Sequence, residues 1–147
     1  MMQLSVACVR NDTATGTTSV PTPPPSSALA PVPPLPSAED VTALLRRLLD
    51  PTVPNAEKHD SIQGVRVDPD LPNRLAKVAQ QYHAEVTVTT TALGAPGMVA
   101  AGTWTIDGVV PQPIVVNFIA EDGKWKVEKT WGCQLLIVFD MTSPMCR

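Results

Sequence analysis

Tyr82, His83, Glu85 and Asp107 are of the types that move protons, and they fall close together in this sequence. An isomerase-type proton transfer needs a carboxylate base and a hydrogen-bond donor aimed at the developing oxyanion. Glu85 or Asp107 would be the base, with Tyr82 or His83 as the donor. Plainer roles compete with each assignment. Glu85 alternates with threonines along what reads as the polar face of a strand, so solvated surface is favoured. Asp107 precedes Gly108 and is most simply a turn residue. Tyr82 closes an apolar helix face, which favours core packing with its hydroxyl at the edge. His83 stands at a helix end, where a partly exposed imidazole meets the negative end of the dipole. His59, between Lys58 and Asp60, reads as part of a solvated face.

Other chemistries have less support. No GxSxG is present, and neither of the two histidines stands at a family spacing from a cysteine. The phosphate-cradling patterns GxxxxGK(S/T) and GxGxxG are also missing, so no nucleotide cofactor is expected. Cys133 and Cys146 form no CxxC and lie at no ligand spacing from His59 or His83, so no structural metal is expected either. A non-enzyme is the favoured expectation, with a small isomerase or dehydratase as the alternative.

The three cysteines carry information about location. Leu4-Ser5-Val6-Ala7-Cys8 resembles the end of a bacterial lipoprotein signal, in which a small residue precedes a cysteine that becomes lipidated. Ala7 fits that pattern, whereas Ser5 stands where leucine or valine is usual. An ordinary thiol is the competing reading. On the lipidation reading, Met1 lies within a longer signal peptide. A lipidated Cys8 leaves an even pair, Cys133 and Cys146. A disulfide between them would contribute about 3 kcal/mol and would pin Gln134 to Met145 onto the last strand. Two reduced core thiols are the alternative.

The elements that must position these residues follow from composition and period. Of 147 residues 16 are proline, half of them between Pro21 and Pro36, and no charged residue occurs from Thr13 to Ala38. The chain therefore divides into a tail and tether over residues 1–36 and a domain over residues 37–147. In polyproline II form the tract from Pro21 to Pro36 would span up to roughly 50 Å. It carries no basic residues flanking a PxxP core, which leaves a spacer favoured over a ligand for a proline-binding module. The net charge of -3 argues against nucleic acid as a partner. No apolar run is long enough to span a membrane, so membrane attachment would come only through Cys8.

Within the domain, Ser37 and Asp40 form a capping box ahead of Val41, Leu44, Leu45, Leu48 and Leu49, one apolar stripe of a helix that Asp50-Pro51 ends. A short helical piece is expected from Pro54 to Ile62, and a third helix from Leu71 to Tyr82 with Leu71, Leu75, Val78, Ala79 and Tyr82 on one face. The period then changes to two. Val86, Val88, Thr90 and Ala92 make one strand face; Met98, Ala100, Gly102, Trp104 and Ile106 the next; Ile114, Val116, Phe118 and Ala120 a third. Asp122-Gly123 is a hairpin turn, and a fourth strand carries Trp125, Val127 and Lys129 and runs to Trp131. Helices followed by a four-stranded antiparallel meander make an α+β fold with the helices packed on one face of a curved sheet.

The helix ending in Asp50-Pro51, the following Pro54 and Lys58, the leucine-rich helix, the Thr/Val strand and the Gly123-x-Trp125 hairpin carry a resemblance. Together they are similar to the low-molecular-weight secreted antigen family of mycobacteria, and to the wider C-terminal domain family of actinobacterial envelope proteins and lipoproteins. The likeness runs from about Pro36 to Leu136. It implies export behind an apolar or proline-rich leader, and a cone-shaped fold of the nuclear transport factor 2-like or cystatin-like class. It brings no catalytic residues. The Cys133 and Cys146 pair and the Leu135-Leu136-Ile137-Val138-Phe139 run depart from the antigen pattern, which leaves the segment after Trp131 without an assigned role. A cone of this kind often encloses a pocket between sheet and helices. Here the expected lining is Tyr82, Val86, Trp104, Phe118 and Trp125, with no inward-facing carboxylate. An apolar small ligand or an envelope protein would be the partner.

Overall fold

The computed structural model describes residues 32–95 and 97–147. Helix α1 (Ala38–Leu48) begins where the capping pattern places it. Ser37 Oγ accepts from the Asp40 N–H at 3.1 Å, and the Asp40 carboxylate accepts from the Ser37 N–H at 3.2 Å. Val41, Leu45 and Leu48 are buried along its inner face. Thr42 shares that face because its hydroxyl has partners: it donates to the Ala38 carbonyl at 2.8 Å and accepts from the Val88 N–H at 2.9 Å. The second of these ties α1 to the first strand.

A short helix α2 (Asn55–Lys58) runs into a 3-10 turn at His59–Ser61, and a second 3-10 turn spans Val65–Val67. Helix α3 (Leu71–Gln81) follows. Its buried residues are Leu71, Pro72, Ala76 and Ala79, so the inner stripe is rotated from the expected one: Ala76 belongs to it, and Tyr82 is 44% exposed. Lys58 also departs from expectation. It is fully buried, with its ammonium donating to the Asp50 carbonyl and, at 2.7 Å, to Asn73 Oδ1. A cation beside the carboxyl end of α1 opposes the negative end of that helix's dipole. Asn55 Oδ1 in turn accepts from the Asn73 N–H at 2.9 Å in the first turn of α3. The solvated face expected around His59 thus holds a buried clamp between two helices.

The sheet is the expected antiparallel meander, in the order β1 (Glu85–Leu93), β2 (Met98–Thr105), β3 (Gln112–Glu121), β4 (Lys124–Val127). Its tightest hairpin has Asp122 at φ 55° and Gly123 at φ 71°, the double positive-φ geometry that Asp-Gly favours. The β1–β2 register slips between Val88 and Thr90. That bulge inverts the alternation, so Thr91 pairs with buried Ala100 while Thr90 pairs with Ala101. Beyond Val88, the expected inward Thr90 and Ala92 are therefore exposed. Such an insertion bends the strand and increases its twist.

The fourth strand is shorter than the sequence suggested. It stops at Val127, and Lys129–Val138 form a fourth helix, α4. Trp125, Val127, Lys129 and Trp131 keep the parity of a strand, and Gly132 is a poor helix former. Trp131, Leu135, Leu136 and Phe139 nonetheless recur at i, i+4, i+5 and i+8; the helix buries Leu136 and half-buries the other three. With β4 ending early, α4 takes over the free edge of β3: the Glu128 N–H donates to the Asn117 carbonyl at 2.9 Å, and Trp131 Nε1 to the Val115 carbonyl at 2.6 Å. These bonds give partners to carbonyls on the free edge of β3. A Cys133–Cys146 disulfide, with Cα atoms 5.7 Å apart, fastens α4 to the closing 3-10 turn Pro144–Cys146. The bridge thus joins a helix, and not the last strand, to the C-terminal segment. Ser143 completes the anchorage by donating to the Asp68 carboxylate at 2.6 Å; Arg74 pairs with the same carboxylate.

Candidate functional site

The sheet is unevenly filled. Around the Met98–Phe118 pair the core is closed: Met98, Ala100 and Phe118 are fully buried and Val41 packs with them. Beside it, from where Val86 pairs with Trp104 across to Val127 of β4, α1, α3 and α4 stand over a cavity of about 70 Å³. Leu45, Leu48 and Leu49 of α1 contribute to its wall, as do Leu71, Leu75 and Ala79 of α3. The sheet adds Val86, Trp104, Ile114 and Val116, and α4 with its flanks adds Trp131, Gly132, Leu135, Leu136, Phe139 and Met145. All of these are apolar. Room for several waters exists, since one needs only about 10–15 Å³ of such volume, but the wall offers water no hydrogen-bond partners. The space is thus suited to hydrocarbon.

Aromatic rings mark the edge of this cavity. Phe139 stacks on Tyr82 with ring centroids 5.9 Å apart and meets the edge of Trp104 at 6.2 Å. Both arrangements are favourable for aromatic quadrupoles. An open groove of about 580 Å³ lies alongside, lined by Arg46, Asp50, Pro51, Gln80, His83 and Glu85, and it shares Leu49, Ala84 and Val86 with the cavity wall.

Of the five residues expected to line a pocket, the structure brings Val86 and Trp104 to the cavity. Phe118 is in the closed part of the core. Trp125 is half-buried in that same part, with Nε1 donating to the Pro34 carbonyl at 3.0 Å. Tyr82 reaches the site only through its stack on Phe139. The proton-transfer candidates lie elsewhere. Glu85 is exposed in the groove. Asp107 pairs with His83 at 3.2 Å on the surface, both at positive φ, and its N–H donates to the Tyr82 carbonyl at 2.7 Å. His59 Nε2 lies 2.9 Å from the Pro69 carbonyl. None of these groups lines the cavity.

The α4 side chains were missed, although Trp131, Leu135, Leu136 and Phe139 carry a helical period that a longer window after Val127 would have exposed. Arg46 and Gln80 gave no signal, because they sit on the polar faces of two helices that only the tertiary fold brings together.

The charged groups with shifted pKa values lie outside the cavity wall. Burial lowers the Lys58 pKa, partly offset by the Asp50 carboxylate. Burial would also lower that of Lys126, but hydrogen bonds to Asp122 and Glu121 outweigh it and raise the value. Hydrogen bonds from Thr52 hold the Asp50 carboxyl below its ordinary range. Lys124 does the same for Asp60.

Cys8 and the proline tract up to residue 31 lie outside the described residues. From Val32 the chain is described, and Pro34 and Pro36 already bond to the domain; the Pro36 carbonyl accepts from Thr91 Oγ1 at 2.8 Å. No helix among the described residues is long and apolar enough to cross a membrane. The family model for the low molecular weight antigen MTB12, C-terminal domain, matches residues 34–143. No curated protein matches the chain. The match spans the entire described fold up to the closing turn, and the chain belongs to that family.

Proposed function

From that membership, we propose that this chain is a non-catalytic exported protein of the cell envelope whose cavity receives a small apolar group. The observation that carries the binding half of this reading is a partly open space of about 70 Å³ with an entirely apolar wall. An apolar cavity of this kind stays dry and binds hydrocarbon. Export is supported by the family and by the Cys133–Cys146 bridge, since disulfides persist in oxidising compartments. A lipid on Cys8, with the proline tract as spacer, would hold the domain off a membrane.

Gly132 supplies the test. A Cβ built there meets only Met145 Cε, at 3.9 Å, and Gly132 lines the cavity, so the side chain of Gly132→Leu should project into it. Xenon titration followed by the ¹²⁹Xe chemical shift should show saturable binding in the wild type and none in the variant, with unchanged circular dichroism. Equal binding by both proteins would refute the cavity reading. For the anchor, the mass of the mature protein from an expression host that processes lipoproteins should show a diacylglyceryl group on Cys8; an unmodified thiol there rejects it.

A further inference from the structure

We propose that the ligand is an amphiphile, with its hydrocarbon end in the cavity and an uncharged hydroxylated head in the adjoining groove. This rests on the cavity reading above and names the class of molecule. The cavity and the groove abut across Leu49, Ala84 and Val86. A molecule filling the first therefore emerges beside the second. One compartment is wholly apolar, and the other is open to solvent and mixes apolar wall with charged and amide groups. That division matches the two ends of an amphiphile and does not match a plain hydrocarbon.

The groove's unspent hydrogen-bonding groups define the head. Among the described residues, Arg46 makes one contact, to Thr87 Oγ1 at the long distance of 3.5 Å, and leaves most of its donors free. Gln80 and Glu85 make no side-chain hydrogen bond among those residues, which leaves an amide and a carboxylate available. Asp50 is already committed, accepting from the Thr52 N–H at 2.8 Å and its hydroxyl at 2.6 Å. His83 is held by Asp107 at 3.2 Å. The groove thus holds one free guanidinium and one free carboxylate, with an amide that both donates and accepts. A carboxylate head would meet Glu85 and Asp50 as well as Arg46, and an ammonium head would meet Arg46 as well as the two carboxylates, so either charge meets a like charge in the groove. Hydroxyl groups, which donate and accept at once, satisfy both sets without an unpaired charge. A glycoside or glycerol head has that chemistry.

The experiment compares four ligands with the same tail, short enough for a cavity of about 70 Å³: butyl glucoside, butyrate, butylammonium and butane. Binding to the full chain is read by calorimetry for the wild type, Arg46→Met, Glu85→Gln and Gly132→Leu. Butyl glucoside should bind tightest, and each groove variant should weaken it about tenfold while leaving butane unchanged. Gly132→Leu should abolish all binding. Equal affinity for all four, insensitive to Arg46 and Glu85, would overturn the head assignment and leave the cavity reading intact. A preference for butyrate or butylammonium would overturn it in favour of a charged head. No binding by any of the four would overturn both.

Discussion

A single added methyl group distinguishes the middle of the sheet from the wall that α4 builds. At Gly102 a Cβ would lie 2.0 Å from the Thr87 carbonyl oxygen and 2.7 Å from Val88 Cα, whereas at Gly132 the nearest atom is Met145 Cε at 3.9 Å. The first site sits against the β1 bulge, where two backbones approach too closely for any side chain. The second faces unfilled space. Sheet and α4 are therefore held by different means. The sheet is held by close backbone approach at Gly102 and by fully buried Met98, Ala100 and Phe118, which fix its geometry. Helix α4 is held by directional and covalent links: the Trp131 indole on β3, the Lys129 N–H on Gln63 Oε1 at 3.1 Å, and the disulfide to Cys146. That difference permits a cavity beneath α4 without loosening the sheet.

The largest effect should come from Gly102→Ala. Because the obstructing atoms are backbone, strands β1 and β2 must part, and a loss of about 3 kcal/mol or more is expected in urea denaturation. A change under about 1 kcal/mol there would contradict the close approach of the strands. Next comes replacement of both Cys133 and Cys146 by serine, expected to cost about 3 kcal/mol. The loss should appear first as faster amide exchange in α4, with the sheet unchanged; uniform loss of protection would erase the distinction between the two regions. Gly132→Ala should act in the opposite sense and raise stability by up to about 1 kcal/mol, because alanine favours helix and the site has room. A drop in melting temperature would show the space to be filled.

The smallest effect is one of slope with pH, and it contrasts the two buried lysines. The Lys58 pKa is lowered in the folded state from 10.5. Between that lowered value and 10.5 the unfolded chain binds more protons, so this residue's contribution to stability rises with pH. The Lys126 pKa is raised above 10.5. Its contribution is complete below 10.5 and falls only as pH climbs through the raised value. Stability of the wild type relative to Lys58→Met should therefore improve on approaching pH 10.5, while relative to Lys126→Met it should stay level until above 10.5. Parallel slopes for the two pairs would remove the contrast.

Periodic segments were legible in the sequence because local physics decides them. The Ser37–Asp40 cap, the α1 stripe and the Asp122-Gly123 hairpin depend on contacts within a few residues, and each appears where its pattern stands. The β1 bulge was not legible. A run of Thr89, Thr90 and Thr91 is compatible with either face, so nothing in it marks where the alternation inverts. Helix α4 was misread because four residues of strand parity overlap the start of a helical period. Lys58 looked solvated because its partners, the Asp50 carbonyl and Asn73, come from separate segments.

The disulfide was arguable from cysteine parity alone, but which element it fastens was not. By itself the sequence determined the α+β class, the meander order, the apolar core and the family to which the chain belongs, since all of these follow from the kinds of residue and their spacing. Tertiary structure decided that the segment after Val127 turns back as a helix, that its aromatic end meets Tyr82 and Trp104, and that a cavity remains beneath it. Those outcomes depend on how well distant surfaces fill one another, and side-chain volumes are matched only once the chain has folded.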